Sequence, residues 1–226
     1  MEGFLLVDKP AGISSFRVVA IVRRLLSQEV GHRVKVGHTG TLDPAATGLL
    51  ILVVGSYTKR AAEFSKLNKS YLAELTLGQV STTDDIEGEL TVVNSREPAP
   101  EEVQAVLAQF KGQLSQIPPA YSAVKIGGQR AYKLARAGRP VEIKPRTVTV
   151  NSIKDIHYEY PKLSFEADVS SGTYIRSLAR EIGEKLGVGA YLSGLKRLSV
   201  GEFYLTDAIK PEQEGASQLL KIAKTP

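Results

Sequence analysis

The chain has 226 residues, 42% hydrophobic and 23% charged, which excludes a disordered polar chain and allows one large domain or two small ones. It has no cysteine, which excludes disulfides, thiol catalysis and cysteine-bound metal and fits a reducing cytosol. A net charge of +5, with a pI of about 9.3, favours a polyanionic partner such as nucleic acid.

The longest wholly apolar run, residues 49–54, is far short of the ~20 residues that cross a bilayer, so no membrane partner is expected. The opening Met1-Glu2-Gly3-Phe4 has no basic stretch leading into a long apolar one, so no secretory signal is expected. Histidine occurs only at 32, 38 and 157, never in a spaced cluster with Glu, so no metal site is expected.

Phe4-Leu5-Leu6-Val7 predicts a first strand. Lys9-Pro10-Ala11-Gly12 follows as a loop, and Ser14 or Ser15 can cap a helix. In that helix Val18, Val19, Val22, Leu25 and Leu26 share a face, while Arg17, Arg23 and Arg24 project elsewhere, to solvent or to phosphate.

Residues 37–48, GHTGTLDPAATG, form the stretch around which the rest is arranged. They set three glycines, a histidine, two threonines that precede the aspartate and Asp43 between Val34/Val36 and the apolar run 49–54. A polar, glycine-rich loop between buried strands is a place where a rigid scaffold presents a reactive side chain. Pro44 biases Asp43 towards an extended backbone. Asp43 is therefore the candidate catalytic carboxylate; the competing reading is a turn aspartate that accepts local hydrogen bonds. The loop lacks the Lys-Ser/Thr of a Walker loop and the glycine spacing of a dinucleotide site.

A short helical piece ends near Phe64, and residues 69–77 alternate, with Tyr71, Ala73, Leu75 and Leu77 on one face. Tyr71 can be core or a platform on which a base stacks. Thr82-Thr83-Asp84-Asp85 is a polar loop whose two acids suit a cation but are too sparse for a calcium loop. Residues 90–93 predict a short strand, and Pro98 and Pro100 introduce a helix with Glu101 and Glu102 in its first turn. Its stripe is Val103, Val106, Leu107 and Phe110.

Ser122 and Lys125 have the Ser-x-x-Lys spacing of penicillin-binding enzymes, but no Ser-Asp-Asn or Lys-Thr-Gly accompanies them. A helix is expected over 129–137, stopped by Gly138, with Arg130, Lys133, Arg136 and Arg139 beside Tyr132. Residues 146–150 and 163–169 read as paired strands with a connection around Tyr158, Tyr160 and Pro161. A further helix opens across residues 171–176 and ends at Gly187. Arg176 in its first turn opposes the helix dipole, which suggests that it neutralises a nearby anion, with Asp43 a candidate. A last strand is expected over 200–203 and a weak helix over 217–223. No βαβ rhythm appears, so the fold class expected is α+β: a mixed, mostly antiparallel sheet with peripheral helices.

Taken together, these stretches resemble the TruB family of bacterial tRNA pseudouridine-55 synthases. The matching pieces are Lys9-Pro10-Ala11-Gly12, the 37–48 loop, Lys69-Ser70-Tyr71, Leu77-Gly78, residues 116–125 and 131–136, residues 172–176, and Leu195-Lys196-Arg197-Leu198, all in family order.

The resemblance implies that Asp43 is the catalytic aspartate, that Tyr71 packs on the target base and aids proton removal, and that Arg176 pairs with the aspartate. It implies that His38 helps hold the reshaped T-loop, that Tyr174 and Leu195 line the uracil pocket, and that Lys59 is a basic residue near the site. The implied reaction breaks the N1–C1′ bond of a flipped-out uridine, turns the base and rejoins it through C5. It needs neither cofactor nor metal. Attack at C1′, attack at C6 and deprotonation of C2′ all remain open for the carboxylate.

The implied protein is a cytoplasmic monomer whose partner is the T-arm of tRNA. Residues 1–203 form its pseudouridine synthase catalytic domain, and 204–226 are a short tail without a complete PUA-type domain. A non-catalytic tRNA-binding or tRNA-folding protein using the same cleft is the alternative.

Overall fold

In the computed structural model, which describes residues 2–210, the apolar patterns resolve into strands and short helices. In chain order they are β1 (Gly3–Lys9), α1 (Ser15–Val30), β2 (Val36–His38), β3 (Thr47–Val54), α2 (Ala61–Ser65), β4 (Lys69–Leu77), β5 (Gln79–Ser81) and β6 (Leu90–Val92). Then come α3 (Pro100–Ala108), β7 (Gly112–Gln116), β8 (Lys125–Ile126), β9 (Gln129–Arg130), α4 (Ala131–Arg136), β10 (Arg146–Glu159), β11 (Lys162–Val169), α5 (Ile175–Lys185), β12 (Ala190–Val200) and β13 (Phe203–Tyr204). Two compact units emerge. The first takes the described residues up to Tyr71 and from Leu195 onward; the second is Leu72–Gly194.

The first unit is built on β3. β1 pairs antiparallel along its length, from Gly3 opposite Val54 to Lys9 opposite Gly48. The other edge of β3 is shared by β2, antiparallel at residues 52–54, and by β12, parallel at Thr47 and Gly48. The sheet is therefore mixed. Both faces of β3 are covered, which is why residues 49–54 are uniformly apolar rather than alternating. Leu50, Leu52 and Val54 pack with Leu5, Val7 and the Val18, Val19, Val22, Leu26 stripe of α1. Leu49, Ile51 and Val53 pack with Phe4, Leu6, Phe64 and Val200.

Ser14 caps α1 by accepting from the Arg17 amide (3.2 Å), and Gly31, at φ +73°, ends it. The chain past the boundary expected at 203 still joins this unit: Ile209 donates its amide to Leu6 O (3.0 Å) and accepts from Asp8 N (2.8 Å).

In the second unit the strand order runs β4-β11-β10-β7, with β10 antiparallel to both β11 and β7. Ala73, Leu75 and Leu77 are buried along β4, the face expected from their alternation. Val103, Val106 and Leu107 of α3, Leu178, Ala179 and Ile182 of α5, and Leu163, Phe165 and Ala167 of β11 are buried in the same unit. The α+β class, a mixed sheet with few helices, is what the pattern predicted.

Several boundaries differ from expectation for local reasons. Gly37 and His38 belong to β2, and Thr47 and Gly48 to β3, so the loop that carries Asp43 is residues 39–46. The helix expected over 129–137 begins at Ala131, because Gln129 and Arg130 pair back with Ile126 and Lys125 across a Gly127-Gly128 turn. The connection expected around 158–161 is only a tight turn, since β10 runs to Glu159. The helix expected from 171 starts at Ile175, because Gln116 Oε1 already takes the Tyr174 amide (2.8 Å). The last strand is a hairpin, with β12 ending at Val200 and β13 returning at Phe203–Tyr204. The helix expected over 217–223 lies outside the described residues.

Candidate active site

Groups from outside the Asp43 loop bond its backbone, and Thr39 Oγ1 of the loop donates in turn to Ile51 O (3.3 Å). Lys9 is fully buried, and its ammonium donates to the carbonyls of Pro10 (2.8 Å), Ile13 (2.7 Å) and Pro44 (3.2 Å). The Gly12 amide also reaches Pro44 O (2.9 Å), so both residues of the Lys9–Gly12 loop that touch Pro44 clamp the peptide next to Asp43. Ser15 Oγ donates to Leu42 O and accepts from Leu42 N, both at 2.8 Å, which holds the other neighbour. Asp43 O in turn accepts from Ala46 N (3.1 Å), closing a turn. Asp43 itself is half-buried.

Arg197 of β12 is buried, with Nε donating to Leu49 O (2.6 Å) and Nη2 to Gly40 O (3.1 Å). Gly48, at φ +97°, passes so close to this strand that a Cβ would lie 2.3 Å from Arg197 O. Only glycine combines that dihedral with that approach.

His38 stands at the entry to the loop on β2, its pKa lowered by burial and then by the Arg197 charge, so the ring is neutral at pH 7. Its Nδ1 is buried and has no hydrogen-bond partner among the described residues. Tyr71 is 8% exposed on β4, and Leu195 is half-buried on β12 with its carbonyl facing Thr47 Oγ1 (3.5 Å) at the loop exit. Lys59 is exposed. Near Tyr71, buried Lys69 donates to Ser65 O (2.6 Å) and Leu67 O, and burial with the Arg197 charge pushes its pKa down to about 8. Thus the first unit holds Asp43, His38, Tyr71, Leu195 and Lys59 of the expected site residues.

The second unit holds Tyr174 and Arg176. Arg176, 6% exposed, sits in the first turn of α5, as expected. Its Nη1 lies 3.2 Å from Asp85 Oδ2 and donates to Thr83 O (3.3 Å), while Nη2 donates to Tyr121 O (2.9 Å). Asp85 is equally constrained, its Oδ1 accepting from Thr83 Oγ1 (2.5 Å) and Glu87 N (3.0 Å). Beside it Asp84 Oδ2 meets Arg180 Nη1 at 2.6 Å, and burial raises the pKa of Asp84 against the lowering effect of that guanidinium. The two acids read in the sequence as suited to a free cation therefore face two arginines of α5. Tyr174 has both backbone groups tied to the buried Gln116 amide and its ring under the Arg146 guanidinium, 4.6 Å from the centroid.

A profile described as "TruB family pseudouridylate synthase (N terminal domain)" matches residues 23–175. The chain is 44% identical over 223 residues to a tRNA pseudouridine synthase B of Clostridium kluyveri, covering 98% of this chain and 75% of that one. The chain belongs to the TruB family. A Dehalococcoides mccartyi relative of the same name is 45% identical over 210 residues, covering 92% of this chain and 68% of that one.

Beyond sequence, the solved structure of an H/ACA RNP bound to a substrate RNA containing 2'-deoxyuridine aligns at a TM-score of 0.68 and 27% identity. That match covers 93% of this chain, which spans about half (51%) of the chain it matches.

The residue-level reading missed three groups in this TruB-family chain: Asp85, Arg197 and Lys9 as a buried clamp. Lys9 and Arg197 lie in short stretches that match the family, which was a usable signal, but a lone charged residue reads as exposed. Asp85 had only its neighbour Asp84 to mark it.

Proposed function

We propose that this chain is a tRNA pseudouridine synthase that isomerises uridine 55 of the T-loop, with Asp43, Tyr71 and Arg176 as its catalytic set. Membership of the TruB family across 98% of the chain, at 44% identity to a tRNA pseudouridine synthase B, carries the reading. The clamped backbone on both sides of Asp43 supports it. Reaction by a positioned carboxylate needs rigidity of this kind, since small misplacements of a reacting group are costly.

In the reaction N1–C1′ breaks, the uracil turns, C5 joins C1′, and the C5 proton is lost as N1 gains one. No electrons are exchanged with a second reactant and no water is consumed. Tyr71 and Leu195 serve as apolar walls for the detached base, and the family resemblance gives Tyr174 a part in binding the uracil. His38 contacts the reshaped loop and Lys59 the backbone phosphates. Flipping the target out of its stack costs on the order of a few kcal/mol, and stacking on an aromatic returns about 1–3 kcal/mol per base. Residues 1–203 carry the chemistry, and the protein works in the cytoplasm, where its substrate is.

Incubating a tRNA transcript with the protein and mapping pseudouridine chemically tests this. The wild type should modify position 55, and Asp43→Asn should make no product while still binding tRNA. A protein that only binds or folds tRNA would leave position 55 unmodified in both cases.

A further inference from the structure

We infer that Arg197 is a positioning residue for the Asp43 loop, its one guanidinium tying the loop's incoming arm to its outgoing arm. The inference deepens the reading of Asp43 as the catalytic carboxylate and rests on it.

The contacts are specific. Gly40 lies three residues before Asp43 and Leu49 six after it, and their carbonyls receive Nη2 (3.1 Å) and Nε (2.6 Å) of the same side chain. The backbone of Arg197 sits opposite Gly48 in the parallel pair between β12 and β3. Side chain and main chain of one residue thus hold three points of the loop and its exit.

The choice of residue is informative. Arg197 is 2% exposed, and the groups that receive its hydrogen bonds are carbonyls rather than a carboxylate. Its charge is close enough to depress the pKa of both His38 and Lys69. A buried cation set among other basic groups is costly, and an apolar side chain would fill the same space without that penalty. What an apolar residue cannot do is donate in two directions from a rigid plane. Lysine can donate in several directions, as Lys9 does, but from a single nitrogen on a flexible stem, so it cannot fix two acceptors from a rigid plane. The arrangement is the one expected where the spacing of two loop arms matters more than stability.

The full-length protein tests this as Arg197→Lys and Arg197→Gln, beside the wild type and Asp43→Asn. Four quantities are read: single-turnover conversion of saturating tRNA, tRNA affinity, melting temperature, and hydrogen exchange at the amides of residues 39–46. Arg197→Lys should stay folded, bind tRNA within about twofold of wild type, exchange faster in the loop and convert tRNA about 10–100-fold more slowly, as misplacement of a reacting group by an ångström does. Arg197→Gln should be slower still.

Wild-type turnover in both variants overturns the inference. So does a rate loss explained wholly by lost affinity or by unfolding of both variants. The parent reading fails separately: if Asp43→Asn still makes product, the carboxylate assignment is wrong whatever Arg197 does. If Asp43→Asn is inactive and Arg197→Lys is unimpaired, only the positioning role is lost.

Discussion

Around Asp43 the holding groups include two buried cations, and what they hold is backbone. Lys9 and Arg197 reach five carbonyls between them, from Pro10 to Leu49. Around Arg176 the polarity is reversed: the side chain to be held is the cation, and the Asp85 carboxylate with two carbonyls does the holding. The contrast teaches where each region is vulnerable. In the first, a substitution acts by letting chain geometry drift. In the second, it acts by stranding a buried charge.

The largest effect that would sharpen this contrast is Gly48→Ala in the first region. The residue's φ of +97° and the approach of the Arg197 backbone leave no room for Cβ. Loss of about 4 kcal/mol or more, read by chemical denaturation, is expected, the range reserved for overpacking and strain together. A loss under about 1 kcal/mol, the usual scale of a surface change, would mean that the loop is not held as described.

In the second region, Asp85→Asn removes the carboxylate 3.2 Å from the buried Arg176 guanidinium, and a destabilisation of about 3 kcal/mol is expected because breaking a buried pair leaves its charge less well compensated. The matched double variant Asp85→Asn/Arg176→Met should recover part of that loss. If it recovers none, the two side chains are not energetically coupled, and the contrast breaks.

Lys69 makes a pH-dependent test of the cationic region. Its folded pKa of about 8 lies below the ordinary 10.5, so between those values the unfolded chain binds more protons. Stability must therefore rise with pH across that window. The rise attributable to Lys69 should be about 2 kcal/mol, after allowing for solvent screening of a shift whose scale is ~1.4 kcal/mol per unit. The difference between wild type and Lys69→Met, followed by denaturation from pH 8 to pH 10.5, isolates it. Parallel curves would show that Lys69 does not feel the burial and the Arg197 charge. The smallest effect is Ser14→Ala, which removes the α1 cap but leaves the neighbouring Lys9–Ile13 and Ser15–Leu42 bonds in place, and it should cost about 1 kcal/mol of stability.

What the sequence revealed was local. The run 49–54 between polar stretches announced a buried strand, and Asp43 in the glycine-rich loop beside it stood out as the candidate carboxylate. Arg176, a cation where a helix dipole disfavours one, stood out for a reason visible within one turn of chain. What stayed hidden depended on distance. Asp85 and Arg176 are 91 residues apart, and nothing near Asp85 reveals that an arginine of α5 will reach it. Arg197 and Gly40 are 157 apart. A charged residue whose partners are carbonyls of a remote loop carries no periodic signature, so burial of Lys9, Arg197 and Lys69 was not readable. The helix starts failed for a related reason: Gln116 takes the Tyr174 amide, and the Gly127-Gly128 hairpin takes Gln129 and Arg130.

The most direct test of the central claim is release of tritium from C5 of uridine 55 in labelled tRNA, because only isomerisation through C5 frees that hydrogen. The account predicts stoichiometric release by the wild type and none by Asp43→Asn at tRNA concentrations where both bind. Release by Asp43→Asn at a rate near wild type, or none by the wild type, would contradict it.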